Sequence, residues 1–271
     1  MKPTLSHSLE EVRARVSASE ERLCALPCQR LETPHGVLYC RPDLPTVYDV
    51  NVVRQPQLTV AGIDAELAVL WHAATASRLR HLFFAGDDLP RGQGLADALR
   101  ARGFVSETLL CMTLAELPPA QPAQTSAYAV RAPSDAATVR ALYDSVHHEE
   151  RWYTPALARD VTTALFERQR TGALRLLGAY AQHAGGDMLL GALGLSHDDQ
   201  RTYSLVAVAS SPLHRNRGVA KTLVRHAVRL ALDEGAELIY LLTRQVDWTQ
   251  RLYRKLGFVD AFRFDSLSSE R

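Results

Sequence analysis

Arg215-Asn216-Arg217-Gly218-Val219-Ala220 and, further on, Tyr253-Arg254-Lys255-Leu256-Gly257-Phe258 decide the reading of this chain. The first stretch stands between an apolar run, Thr202 to Ala209, and a long amphipathic segment, so it predicts a loop joining a strand to a helix. Gly218 removes a side chain where such a loop would press against a ligand, and Ala220 is the smallest residue that keeps the helix unbroken. The free N–H groups of a helix start, with its dipole, make an anion site. Arg215, Arg217 and Lys221 add positive charge to it. Val219, Ala220, Leu223, Val224, Ala227, Val228 and Ala231 then recur at helical spacing, with Lys221, Arg225 and Arg229 on the opposite face. The second stretch puts a phenol four residues before the Gly-Phe that ends another helix.

Working outward, the second half of the chain divides into clear elements. Tyr128 to Arg131 reads as a strand, and Ser134 as the cap of a helix reaching about Val146. A second helix runs from Pro155 to Arg170, with proline suited to its first turn. Leu174 to Ala181 and Met188 to Ser196 form a hairpin across Gly185-Gly186. The helix after the loop ends near Gly235. Glu237 to Thr243 is nearly all apolar, as in a strand covered on both faces. A last helix and strand follow.

LADALRARGFV, ending at Val105, and TQRLYRKLGFV, ending at Val259, align Gly103 with Gly257. Each is preceded by an apolar run and followed by an alternating one, so the order strand, helix, Gly-Phe, strand occurs twice. Residues 115–127 hold three prolines and no large apolar residue after Leu117. They predict a linker, 118–126, between residues 1–117 and 127–271. The first half begins with a helix from about Leu9 to Leu26. Strand-like Val37 to Cys40 and Val47 to Arg54 follow, then a helix over Asp64 to Ala76. Where the second half has its basic loop, the first has Leu58-Thr59-Val60-Ala61-Gly62-Ile63-Asp64, without arginine and with an acid at the helix start. Leu99 stands where the repeat would place Tyr253.

With 31 basic and 30 acidic residues the net charge is +1, which gives no support for broad nucleic-acid or membrane-surface binding. Residues 4–26 are charged throughout and lack an apolar stretch, and no apolar run is long enough to cross a bilayer; a cytoplasmic protein is expected. Cys24, Cys28, Cys40 and Cys111 show no second pair at zinc spacing, so no metal site is expected and the thiols are read as reduced. A disulfide would suit an oxidising compartment, which nothing else in the sequence suggests.

Arg215-x-x-Gly218-x-Ala220, with Tyr253 and the Gly-Phe behind it, resembles the GNAT superfamily of acyl-CoA-dependent N-acetyltransferases. The element order from Tyr128 onward is similar to the full GNAT fold. The resemblance implies a mixed α/β chain of two GNAT-like halves, each with a twisted mixed sheet flanked by helices. The second would be complete and the first degenerate and without cofactor chemistry. It implies acetyl-CoA, or another acyl-CoA, as co-substrate. That co-substrate would be held by Arg215, Asn216, Arg217, Gly218, Val219, Ala220 and Lys221, and by the backbone of Val206, Ala207 and Val208. A backbone N–H there would stabilise the oxyanion, and Tyr253 would protonate the leaving sulfur as catalytic acid. A core tyrosine on an amphipathic helix would have the same spacing. Many relatives carry an asparagine seven residues before this tyrosine; here the position is Val246. Glu149, Glu150, Trp152 and Tyr153 fall where relatives cover the acceptor pocket, and would suit an amine; they also suit an ordinary charged loop. His197, Asp198 and Asp199 read as a hairpin end, and no general base is legible. The acceptor, a small molecule or peptide, is not written in the sequence, and monomer and dimer both stand. The competing reading is a non-catalytic acyl-CoA sensor that keeps the loop without turnover.

Overall fold

A computed structural model describes residues 7–25, 27–86, 89, 94–116, 128–148, 154–183, 186–244 and 247–270. The elements run, in order, α1 (Leu9–Ala25), β1 (Gln29–Thr33), β2 (Gly36–Cys40), β3 (Val52–Arg54), α2 (Ile63–Ala76), β4 (His81–Phe84), α3 (Leu95–Arg100) and β5 (Val105–Leu114). They continue with β6 (Ala129–Arg131), α4 (Ala136–His147), α5 (Pro155–Arg170), β7 (Leu174–His183), β8 (Gly186–His197), β9 (Thr202–Ser210), α6 (Val219–Asp233), β10 (Leu238–Arg244), α7 (Asp247–Lys255) and β11 (Phe258–Glu270). The 118–126 segment and Val246 lie outside the described residues.

Local chemistry explains most of these boundaries. Asp135, rather than Ser134, caps α4, its carboxylate accepting from the N–H groups of Ala137 and Thr138. Thr154 caps α5 through Leu157 N–H, with Pro155 in the first turn. Val219, Leu223, Val224, Ala227, Val228 and Ala231 of α6 are all buried, as its periodicity requires. Between Val47 and Arg54 the sequence suggested one strand. A 3-10 turn at Tyr48–Val50 interrupts it and leaves only Val52–Arg54 in the sheet. The Asn51 side chain accepts from Arg41 N–H and donates to the carbonyls of Leu44 and Val47, which holds that turn closed. Strand β1 carries mostly exposed side chains, so it has no apolar signal to read.

The mixed α/β architecture expected from the sequence is present, and the strands of both halves run together in one eleven-stranded sheet, ordered β1-β2-β3-β4-β11-β5-β10-β9-β8-β7-β6. The last strand of each half lies beside the other half. β5 pairs with β10 (Leu242 opposite Cys111), and β11 pairs with β4 (Leu267 opposite Phe84). The two exchanged strands pair with each other in the middle, antiparallel from Phe258–Leu114 to Ser268–Val105. Outward from that pair the pattern is the same on both sides: parallel β3·β4 answers parallel β9·β10. On one face α6 and α7 cover β8, β9, β10 and β5, burying Leu110, Met112, Leu205, Ile239, Leu241, Tyr253 and Phe258 in one cluster. On the other, α1 crosses the sheet and buries Val12 and Val16 against Leu238, Tyr240, Phe262 and Phe264.

Candidate active site

The site begins with a break in pairing. β9 and β10 run parallel from Thr202–Leu238 to Leu205–Leu241 and then part, while β10 goes on beside β5 as far as Arg244. On its other side β9 carries one extra residue: Ala192 pairs with Ala209, but Gly194 pairs with Val206. Ala207 takes φ 52° in this bulge, a conformation that an L-residue holds only when its surroundings enforce it. The enforcing group is the buried hydroxyl of Tyr143 on α4, which donates to the Ala207 carbonyl at 2.5 Å. Because the peptide is trans and planar, that contact turns the following N–H, on Val208, the opposite way. Val206, Ala207 and Val208 thus stand at the mouth where the two strands diverge. Nothing in the sequence around Tyr143 marks it; it reads as one more apolar-face residue of an amphipathic helix.

The loop after β9 extends this opening. Asn216 has φ 62° and Gly218 φ 85°, and the backbone N–H groups of Asn216, Arg217, Gly218, Val219 and Ala220 form no hydrogen bond with described residues. Successive N–H groups in a turn that alternates right- and left-handed residues make an anion-binding concavity, and here it opens a fifteen-residue helix. A Cβ built on Gly218 would meet no atom within 4 Å, so the space above it is open. Gly191 is the reverse case. A Cβ there would stand 2.6 Å from the Val219 side chain, so its absence lets α6 lie tight on β8 and sets where the loop ends. The Arg217 carbonyl accepts from the Tyr128 hydroxyl at 2.9 Å. Arg215, Asn216 and Arg217 are exposed, and Lys221 is half-buried in the first turn.

Tyr253 lies on α7, 8% exposed, its ring edge-on to Phe258 at 6.0 Å. Burial pushes its phenol up to about 12. Among the described residues its hydroxyl makes no hydrogen bond. Glu149, Glu150, Trp152 and Tyr153 lie outside the described residues. Asp198 is a turn residue, accepting from Gln200 and Thr202 N–H, and His197 stacks on Tyr203; both sit at the end of β9 remote from the bulge. A cleft of about 500 Å³ between α4 and β8 reaches Ser211 and is lined by Thr138, Ser145, Asp187 and Met188.

The matching loop of the first half is built differently. The Glu66 carboxylate accepts from Thr59 N–H (2.7 Å) and from the Thr59 hydroxyl (2.8 Å). Asp64 is forked to Arg102. Those contacts hold both carboxyls below their usual range.

The Acetyltransferase (GNAT) family model matches residues 140–258, which span α4 to the start of β11. This segment is a GNAT acetyltransferase domain. The activity of such a domain is acyl transfer from acetyl-CoA. Solved structures share the fold over most of the chain. A conserved protein of unknown function from Staphylococcus epidermidis superposes with a TM-score of 0.68 at 15% identity, covering 90% of this chain and 95% of that one. A GCN5-related N-acetyltransferase from Kribbella flavida gives 0.62 at 16% identity, covering 95% and 94%. A tandem GNAT protein from the clavulanic acid biosynthesis pathway gives 0.52 at 18% identity, covering 77% and 70%. No curated protein matches the chain. The GNAT segment contains the bulge, the loop and Tyr253 together. Among the described residues no helix is long and apolar enough to cross a membrane.

Proposed function

We propose that the chain is an acetyl-CoA-dependent N-acetyltransferase of a primary amine, located in the cytoplasm, with one live site in residues 127–271 and a degenerate partner in residues 1–117. The reading rests above all on the run of uncommitted N–H groups from Asn216 to Ala220, which opens at the point where β9 and β10 part. Those groups suit a pyrophosphate, with Arg215, Arg217 and Lys221 for further phosphate charge. Val206 to Val208 suit the arm that follows, through backbone pairing. When bound, acetyl-CoA offers a thioester carbonyl to the amine: the N–C bond forms and the C–S bond breaks. A backbone N–H at the bulge would meet the oxygen as it gains charge, a contact usually worth on the order of 10²–10³ in rate. Tyr253 would hand its proton to the departing sulfur, and the amine's proton would leave to water. In the first half, the internal carboxylate of Glu66 occupies the loop amide that a phosphate would need, which favours a structural half there.

Calorimetric titration with acetyl-CoA tests the reading. One site per chain is expected, lost in Gly218→Glu, whose side chain would enter the open space and put a carboxylate among the N–H groups. Two sites would mean that residues 58–64 bind as well. No heat of binding in the unmutated chain would defeat the assignment. A sensor would bind with the same stoichiometry and release no free CoA with any amine.

A further inference from the structure

The sheet ends on β1, and no described strand pairs with its outer edge. Gln29, Arg30, Leu31 and Glu32 are exposed and Thr33 is half-buried, so that edge is open to solvent. Thr33 and Gly36 close a two-residue turn onto β2, and in an antiparallel ladder hydrogen-bonded and non-bonded pairs alternate. Counting back from the turn, Leu31 and Gln29 direct their N–H and C=O groups inward to β2, and Arg30 and Glu32 direct theirs outward. An open edge is commonly blunted by lysines, whose like charge repels another strand. This edge carries one cation and one anion on the same face, and they already pair within the strand.

A second observation marks the same margin. α2 packs on β1 and β2 and buries Leu67, Leu70, Trp71 and Ala74. Its outer side carries Ala65, Ala68, Val69, His72 and Ala76, all exposed, and no Asp, Glu, Lys or Arg occurs from Leu67 to Ala76. A surface helix ordinarily carries charge on the side away from its core, so this uncharged row suits a covered face. Leu31 extends the row. It pairs with Leu38, which packs in the α2 cluster, so its half-open side chain stands on the α2 face of the sheet. We propose that two copies of this chain join edge to edge through β1, antiparallel about a two-fold axis at Leu31. In that register Arg30 of each copy lies opposite Glu32 of the other, and their outward N–H and C=O groups exchange main-chain hydrogen bonds. Leu31 meets Leu31 at the axis, and the α2 helices approach each other on the same face. Sliding the strands by two residues would set Arg30 against Arg30 or Glu32 against Glu32, and like charges directly opposite are destabilising. The charge pattern therefore selects one register, and a two-fold pairing closes the edge of both copies at once. The half that the reading above leaves without cofactor chemistry becomes the half that associates.

Sedimentation equilibrium of the full chain over a range of concentrations tests this, and a dimer is expected. Arg30→Glu puts acid opposite acid, and Glu32→Arg puts base opposite base. Each should raise the dimer Kd on the order of 10- to 100-fold. Mixed in equal amounts, the two variants should pair with each other, because every cross-strand contact is again acid to base. Arg30→Pro, whose lost N–H points outward, should abolish the dimer and keep the β1–β2 hairpin. Val69→Lys on α2 leaves the strand untouched and should also weaken the dimer, which guards against a strand variant that folds poorly. A full chain that stays monomeric at its highest soluble concentration overturns the proposal. So does a dimer that survives the strand variants, or a mixture of the charge variants that fails to pair. Any of these failures leaves the transferase reading standing, since acetyl-CoA titration counts sites per chain.

Discussion

At Tyr253 the physical question is whether a phenol this deeply buried can act as an acid. Its value near 12 lies above that of an ordinary thiol, about 8.5, by on the order of three units. Proton transfer to a hydrated thiolate would therefore run uphill. It becomes workable only where the sulfur is desolvated too, since burial raises a thiol for the same reason that it raises a phenol. Tyr253→Phe should lower kcat by about 10²–10⁴-fold and leave acetyl-CoA affinity within a factor of about two. Unchanged turnover would return the residue to the core cluster in which it packs. The pH profile gives a second check. A group with a raised value stays protonated up to that value, so kcat should show no descending limb from this acid between pH 7 and 10. A fall centred near pH 8 or 9 would assign the proton to another group. The turn that opens α6 was legible at this scale because its requirements are local: glycine at a left-handed position and small residues at the helix start. The contact of Tyr143 was not, because a hydroxyl on the Ala207 carbonyl exists only once distant segments meet.

Element by element, the sequence marked β9, α6, β10 and the hairpin β7–β8, each of which declares its period within its own length. It did not mark which strand lies next to which. β5 and β11 both alternate, and both would satisfy a neighbour on either side; the choice is made by the side chains they bring. Leu110, Met112 and Leu114 from β5 enter the α6-side cluster with Leu241, Tyr253 and Phe258. In exchange, Leu267 from β11 packs with Phe84, Leu82 and Leu99. The GNAT segment therefore takes one wall of its core from residues 105–114. Residues 127–271 produced alone would leave the β10 edge bare along Tyr240 to Arg244, an open template for association. We expect that fragment to show no cooperative thermal transition and to aggregate, where the full chain melts sharply. A fragment that melts as one unit and stays monomeric by light scattering would show that β5 is dispensable.

At the scale of the whole molecule the strands form one sheet, with several thiols and phenols buried against it. Polar ties across the halves, such as the Thr46 hydroxyl on Asp160 at 2.8 Å and the Tyr48 hydroxyl on Glu270 at 2.6 Å, add to the exchanged strands. The duplication was legible as a repeated order of elements, and the single sheet was not, since continuity is a property of packing between segments far apart in sequence. The joined interior has a consequence for alkaline stability. Burial raises Cys28 to about 11 and Tyr253 to about 12, and pushes Cys24, Tyr143 and Tyr240 upward as well. Below about pH 7.5 these groups are protonated in both folded and unfolded chains, and their contribution is fully present. As pH rises past the ordinary thiol and then phenol values, the unfolded chain loses protons that the folded chain keeps. Stability then falls with pH, by up to about 1.4 kcal/mol per group per unit. The urea midpoint should hold level from about pH 6 to 7.5 and decline progressively from about pH 8 to 12. Because the exchanged strands tie the halves together, both should be lost in a single transition across that range. A midpoint constant to pH 11 would mean that the thiols and phenols meet water in the folded chain. Two separated transitions would mean that the halves unfold independently, despite the strands they share.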